Sequence, residues 1–191
     1  MKKLYYYFYF ILFFSTNALA QQISLSDIKI GSKLTDYFTS NEISKYYQDN
    51  MEKNAKGEYF WGKDFKYSAV AFDGNEIGDD HDFIQIYYEN KTYKIVAISA
   101  ATADLELNQC IQLRDNKVSK HVAKKLLLNF IKDKDSHTFP DGMKDDYVLF
   151  RGIKSTIGFR CYIYKDGSID YRFSDIEKSY DAWLFKKFNE K

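Results

Sequence analysis

Apolar and polar residues alternate over several short stretches of the chain, a pattern that is typical of strands with one buried face. Two of these stretches are separated only by Glu89-Asn90-Lys91, which predicts a hairpin between them. Each half of the chain carries three such stretches. The strands predicted in this way are residues 65–72, 83–88, 92–100, 147–151, 157–164 and 168–173.

Helical periodicity and capping signals mark the segment before the first strand. A short helix is predicted over residues 33–38. Thr39 and Glu42 then have the spacing of a capping box, which begins a second helix that reaches Gln48. Residues 49–57 are polar and predict a loop.

Two further helices are predicted later in the chain. Over residues 116–133 apolar residues recur at intervals of four, which predicts the longest helix. A last helix begins at Ser174, whose distance from Glu177 is again that of a capping box. The apolar stripes are Val118, Val122, Leu126 and Phe130 in the first of these helices and Ile176, Tyr180, Leu184 and Phe188 in the second.

The element order of helix, three strands, helix, three strands and helix predicts an α+β fold, with helices packed on one face of a largely antiparallel sheet. Residues 32–104 and 114–174 share this order, and residues 175–189 add the last helix. An internal duplication and a chance recurrence of short elements both explain two similar halves. Residues 21–191 are expected to form one domain, because this length suits a single domain of ordinary size.

The register of the last two strands follows from which side chains must be buried. Cys161 lies on the apolar face of one strand, and Tyr171 lies on the apolar face of the next. Cys161 has to be opposite Tyr171 if both faces are to be buried together. A three-residue loop, 165–167, gives this pairing and places Gly167 in the left-handed conformation that such loops prefer. A two-residue turn would instead place Cys161 opposite Arg172.

The N-terminal segment has the pattern of a secretory signal peptide. Lys2 and Lys3 precede an unbroken apolar run over residues 4–14, and an Ala-x-Ala motif ends at Ala20. We expect cleavage there, so that the mature chain begins at Gln21. The apolar run is shorter than the roughly 20 residues that a membrane span needs. The sequence therefore predicts a periplasmic or secreted protein without a transmembrane segment.

The balance of charge argues against a nucleic-acid partner. The 191 residues include 28 Lys and Arg against 27 Asp and Glu, and the predicted cleavage would remove two of the lysines. General nucleic-acid binding needs a clear basic excess. Hydrophobic residues make up 45% of the chain, which is enough for a folded core and excludes a wholly disordered protein.

Cys110 and Cys161 are the only cysteines in the sequence. An exported protein meets an oxidising environment, so we expect the two cysteines to form a disulfide. Closing a loop of about 50 residues would stabilise the fold by roughly 4 kcal/mol in the loop-entropy description. Neither cysteine would then be available as a nucleophile.

The predicted register places Arg160 directly opposite Arg172 on the polar face of the last two strands, beside Tyr162 and Tyr164. Like charges in this position are unfavourable, and Asp170 is placed to relieve them diagonally. Arginine and tyrosine are favoured at the centres of protein interfaces. We therefore predict that the two arginines and two tyrosines bind a partner. The alternative is a sheet face that is solvated or covered by the last helix.

The densest acidic segment, residues 73–82, offers the oxygen ligands that Ca²⁺ takes. Its spacing departs from that of an EF-hand loop, because Ile77 and Ile84 stand at two ligand positions. An exposed loop is the simpler interpretation. The candidate calcium ligands are Asp73, Asn75, Asp79, Asp80 and Asp82.

The sequence contains no catalytic motif, no cofactor motif and no zinc-type spacing of histidines. We therefore expect no cofactor, and a protein that binds a protein partner in the envelope or outside the cell. An inhibitor, an immunity-type protein and an envelope accessory protein all fit this expectation. Two alternatives stay open: a hydrolase of envelope or extracellular polymers that uses dispersed carboxylates, and a carrier of a small ligand in an aromatic pocket.

Overall fold

The computed structural model describes residues 25–48, 56–77, 79–124 and 131–188 of the chain. The predicted signal peptide and its cleavage point between Ala20 and Gln21 lie outside these residues. The described strands are β1 (Tyr47–Gln48), β2 (Tyr67–Asp73), β3 (Phe83–Glu89), β4 (Ile95–Thr102), β5 (Ile131–Thr138), β6 (Lys144–Arg151), β7 (Ser155–Ile163) and β8 (Ile169–Glu177). The described α-helices are α1 (Ser40–Tyr46), α2 (Gly74–Ile77), α3 (Leu107–Lys124) and α4 (Lys178–Phe188).

The strands form one antiparallel sheet in the order β1-β2-β3-β4-β8-β7-β6-β5. The predicted α+β fold is confirmed. The first four strands and the last four each follow one another along the sheet, and the two sets meet where β4 pairs with β8. A helix precedes each set, α1 before β1 and α3 before β5. The second set includes β5, a strand that the sequence pattern did not predict.

The two faces of the sheet are covered by different helices. On the inner face, α1 and the 3-10 helix Leu34–Asp36 pack against β2 to β4, and α3 packs against β6 to β8. On the outer face, α4 packs against β2 to β4, where Tyr180 and Trp183 contact the ring of Tyr67. Helix α4 thus departs from the single helical face that was predicted. Within the described residues, helix packing leaves the outer face of β6 and β7 open.

In the first half of the chain, β2, β3 and β4 match the predicted strands to within three residues at each end, whereas β1 and α2 were not predicted and the helix predicted to reach Gln48 ends two residues earlier. Thr39 caps α1, because its hydroxyl accepts a hydrogen bond from the Glu42 amide at 3.3 Å and its own amide donates to the Glu42 carboxylate at 2.7 Å. The predicted capping box is therefore confirmed. The helix ends at Tyr46 and the chain passes directly into β1.

Helix α3 lies earlier in the chain than the helix predicted over residues 116–133, and that prediction was wrong at its start and at its end. The buried positions of α3 are Cys110, Arg114 and Val118, four residues apart, whereas Val122 of the predicted stripe is exposed. A charged residue therefore occupies the buried stripe. This hid the first turns of the helix from a search for apolar periodicity.

The predicted end of that helix is replaced by β5. Leu126 and Phe130 of the predicted stripe lie outside the described residues, and residues 131–133 belong to the strand. Lysine and aspartate alternate along the start of β5, which is the edge strand of the sheet next to β6. Charged side chains on an edge strand disfavour pairing with a further chain.

Arg114 connects α3 to the sheet from a fully buried position. Its guanidinium donates to the carboxylate of Asp146 on β6 at 2.5 Å and to that of Asp115 at 2.9 Å. The disulfide between Cys110 and Cys161 joins the same helix to β7, with both cysteines fully buried. The predicted disulfide is confirmed, and α3 is held to the sheet by a covalent bond and by a buried ion pair.

The last helix does not begin at the predicted cap. Ser174 continues β8, where it pairs with Ser99 of β4 and with Gly158 of β7. The strand is hydrogen-bonded on both sides as far as Ile176, so the capping-box reading of Ser174 and Glu177 was wrong. A Cβ at Gly158 would lie 2.8 Å from the Ser174 hydroxyl, and only glycine allows the two strands this close approach on the outer face.

The predicted register of β7 and β8 is confirmed. Cys161 lies opposite Tyr171, and Arg160 lies opposite Arg172. The Tyr164 amide donates to the Ser168 carbonyl at 2.9 Å, which leaves a three-residue loop with Gly167 at φ 88°. The left-handed conformation of this glycine is the one that the loop requires.

Removing the disulfide should lower the free energy of unfolding by roughly 4 kcal/mol, because the crosslink closes a long loop of the unfolded chain. The test is urea denaturation of a Cys110→Ala/Cys161→Ala variant, followed by tryptophan fluorescence. The unsubstituted protein under reducing conditions is the matched control and should lose a similar amount. A variant within about 1 kcal/mol of the oxidised protein would contradict the expectation.

Candidate functional site

The open part of the outer face carries both predicted arginines. The arginine–tyrosine patch is defined here as Arg160, Arg172, Tyr147, Tyr162 and Tyr164. The sheet register brings the four predicted partner-binding residues together and adds Tyr147 from β6, directly opposite Arg160. Alternation along β6, β7 and β8 points these side chains away from the helices of the inner face.

Arg160 sits at the centre of the patch. Its guanidinium carbon lies 5.3 Å from the centre of the Tyr147 ring, within the range of a cation–π contact. The same guanidinium forms an ion pair with Asp145, which lies two residues from Tyr147 on the neighbouring strand, opposite Tyr162. Arg160 is thus fixed from two sides while its side chain stays 27% exposed.

Arg172 is held in the same manner on β8. It lies over the Tyr162 ring at 5.1 Å and donates to the Tyr164 hydroxyl at 2.6 Å. Its ion pair with Asp170 is 3.3 Å long, and the Tyr164 hydroxyl donates to the same carboxylate at 2.9 Å. The Arg172 side chain is 45% exposed. The repulsion expected between Arg160 and Arg172 is therefore relieved because each arginine has its own carboxylate.

Asp145 is the buried anchor of the patch. Its side chain is only 2% exposed, and one carboxylate oxygen has no hydrogen-bond partner in the described structure. Burial raises the pKa of Asp145, and the Arg160 guanidinium acts in the opposite direction. The positive charge of Arg160 consequently stabilises the ionised Asp145 carboxylate in its buried position.

Asp170 has a second effect on the patch, through Tyr164. Burial raises the pKa of the Tyr164 phenol, and the hydrogen bond to Asp170 raises it further. The phenol thus stays protonated at neutral pH and donates to Asp170 while it accepts from Arg172. The exposed guanidinium is oriented by this network.

The candidate calcium ligands do not converge. Asp73 accepts from the Asn75 amide at 3.0 Å, Asp80 pairs with Lys117 at 3.8 Å, and Asp82 accepts from the Ala103 amide at 2.9 Å. No three metal-ligating side chains come together in the part of the chain that the structure describes. The acidic segment instead ties α2 and β3 to their neighbours.

The fifth candidate, Asp79, forms a buried pair with His81. The Asp79 carboxylate contacts the His81 ring nitrogen Nδ1 and also accepts from the Leu25 amide at 3.2 Å. The imidazole stacks on Tyr171 with ring centres 5.9 Å apart. Burial alone would raise the pKa of Asp79, but the His81 ring and the two backbone amides outweigh it and lower the pKa to about 2.

None of the helices in the described residues is both long enough and apolar enough to span a bilayer. Comparison with protein-family models, with curated proteins and with solved structures gives no match. Function is therefore inferred from the geometry of the chain's own residues.

The two arginines should differ sharply in their effect on stability. Arg160→Met strands the buried Asp145 carboxylate and should lower the free energy of unfolding by about 2 kcal/mol or more. Arg172→Met removes a contact that is half exposed and should cost less than about 1 kcal/mol. Denaturant unfolding at neutral pH measures both. The Asp145→Leu/Arg160→Met double variant should recover most of the loss, and equal losses for the two single variants would refute this account.

The Asp79 pair should make stability depend on acid pH. Its pKa is about 2 in the folded protein and 3.8 for the unperturbed group, so the ionised form stabilises the fold above about pH 4, by roughly 2 kcal/mol. This contribution is lost as the pH falls from about 4 to about 2. The stability gap between the protein and Asp79→Asn should therefore close over that range. Asp80→Asn, at an exposed neighbouring residue, should show the same dependence of stability on pH as the unsubstituted protein. A stability difference between the protein and Asp79→Asn that does not change with pH would be inconsistent with the pairing of Asp79 and His81.

Proposed function

We propose that the protein is exported to the periplasm or the cell exterior and there binds a protein partner through the arginine–tyrosine patch. An inhibitor, an immunity-type protein or an envelope accessory protein would act in this way. The observation that carries the proposal is the uneven covering of the outer face. Helix α4 buries one half of it, and among the described residues no helix packs over the half with Arg160, which is 27% exposed, and Arg172, which is 45% exposed.

The patch has the chemistry of an interface centre. Tyrosine brings a large, rigid contact area and arginine brings five N–H donors, and both residue types are enriched among those whose loss weakens protein interfaces. Here the aromatic rings and the ion pairs fix the guanidinium groups before any partner arrives. Preorganised side chains lose less conformational entropy on binding.

The expected partner presents hydrogen-bond acceptors, and above all carboxylates. A guanidinium has five N–H donors, and the hydrogen bonds found among the described residues engage only Nη1 of Arg160 and only Nη2 of Arg172. Both side chains are partly exposed, Arg160 at 27% and Arg172 at 45%. A carboxylate can take two of the remaining donors in a bidentate pair, which is among the stronger polar contacts at an interface.

Two features support export as the setting. The N-terminal sequence has the pattern of a signal peptide. The buried disulfide between Cys110 and Cys161 suits an oxidising compartment.

Site-specific photocrosslinking in the native host provides the test. A benzophenone amino acid at position 162, in the patch, should give a discrete crosslinked species that contains one protein partner. The same group at position 120, on the exposed side of α3, is the matched control and should not. Arg172→Glu should weaken binding of the purified partner by about tenfold or more, because the charge reversal opposes an acidic surface.

Either of two outcomes would overturn the proposal. One is crosslinking of the same proteins from both positions. The other is undiminished partner binding by Arg172→Glu, with the thermal stability of the variant showing that it remains folded. Arg160→Lys is the preferred variant at the central position. It keeps a positive charge near the buried Asp145 but removes the planar guanidinium group and its capacity for bidentate hydrogen bonds.

A further inference from the structure

A second candidate site lies away from the patch, in a cleft of about 400 Å³ between α1, β1 and the turn that joins β3 to β4. This tyrosine cleft is defined by Tyr47, Tyr88 and Tyr93, together with Ile43, Ser44 and Lys63. Tyr88 belongs to the core cluster under α1, so the cleft lies beside the inner face. The cleft and the patch are therefore on opposite faces and in opposite halves of the sheet.

The strongest observation at the cleft is the backbone of Tyr93. Its φ angle is 57°, in the left-handed region that glycine and asparagine favour and that bulky residues rarely adopt. The turn fixes this conformation, because the Tyr93 amide donates to the Glu89 carbonyl at 2.8 Å and its carbonyl accepts from the Leu34 amide at 2.8 Å. Backbone strain of this kind is concentrated at ligand clamps and similar functional positions.

The strained residue presents an aromatic surface. The Tyr93 ring stacks on Tyr88 with 5.6 Å between ring centres and only 4° between planes. Tyr88 is buried, whereas Tyr93 is 40% exposed, so one ring supports the other from below. A flat, exposed ring of this kind can bind the C–H face of a sugar or another flat apolar face.

The other walls of the cleft are polar. The Lys63 side chain is exposed, and no ion pair engages it in the described structure. The Ser44 hydroxyl donates to the Ser40 carbonyl at 2.9 Å, so its oxygen can still accept a hydrogen bond. The cleft thus combines stacked rings, a hydroxyl oxygen and an ammonium group.

We propose that the tyrosine cleft binds an acidic sugar unit of a glycan, with the sugar face on Tyr93 and its carboxylate on Lys63. The lining combines tyrosine rings with the polar side chains of Ser44, Lys63 and Asn90, which suits a ligand that carries several hydroxyl groups as well as a carboxylate better than a purely aromatic acid. A neutral sugar would use the ring and the hydroxyl but leave the ammonium unpaired. The proposal is independent of the protein-binding role of the patch.

The test is a calorimetric and NMR titration of the oxidised, full-length mature chain with trigalacturonate, and with neutral galactotriose as the matched probe. Trigalacturonate should bind measurably and more tightly than galactotriose. Lys63→Gln should weaken trigalacturonate binding about fivefold or more and leave galactotriose binding unchanged, because it removes one charge pair. Lys91→Gln, at an exposed lysine of the turn that joins β3 to β4, should change neither.

Tyr93→Asn tests the strained residue. Asparagine tolerates the left-handed backbone, so the melting temperature should stay the same or rise, while binding of both sugars should fall about tenfold or more. Absence of binding of trigalacturonate, or equal effects of Lys63→Gln and Lys91→Gln, would overturn the proposal. Loss of sugar binding in Arg172→Glu would place the ligand on the patch instead and would also overturn it.

Discussion

The antiparallel pairing of β4 with β8 is the contact on which the rest of the molecule depends. It joins two sets of strands that are far apart in sequence, from Ala97 opposite Ile176 to Thr102 opposite Tyr171. Without it each set would expose one long edge. The pairing also makes the inner core continuous, because Phe173 packs against both inner clusters. The patch and the helix α4 are thereby placed side by side on one outer face.

The sequence was sufficient to predict strand pairing where one face of a strand had to be buried. Alternation alone predicted that Cys161 lies opposite Tyr171, and export predicted the disulfide. The apolar pattern failed in α3, because Arg114 fills a buried position and is satisfied by a carboxylate from a distant strand. The capping-box spacing of Ser174 and Glu177 also gave a wrong prediction, because strand pairing on both sides keeps the chain extended there.

The candidate sites could likewise be predicted only where their residues are close together in the sequence. Arg160 and Arg172 could be placed together from one hairpin register. Asp145 and Tyr147 could not, because the apolar pattern marks their strand only from Tyr147 onward and does not fix its register against β7. The tyrosine cleft combines a helix, a short strand and two turns. Its most informative property is the φ angle of Tyr93, which no local pattern of residue types encodes, since glycine or asparagine is the usual choice there.

The neighbouring residues Asp145 and Asp146 reach opposite faces of β6. Asp145 meets Arg160 on the outer face, and Asp146 meets Arg114 beneath the inner face. If β6 were shifted by one residue, each carboxylate would lie on the opposite face of the sheet, and both arginines would lose their ion-pair partners. The apolar residues of β6 would oppose such a shift only weakly, because Val148, Leu149 and Phe150 are consecutive and all buried, so both faces of the strand carry apolar side chains. The two adjacent aspartates therefore favour one alignment of β6, because only that alignment pairs both of them with an arginine.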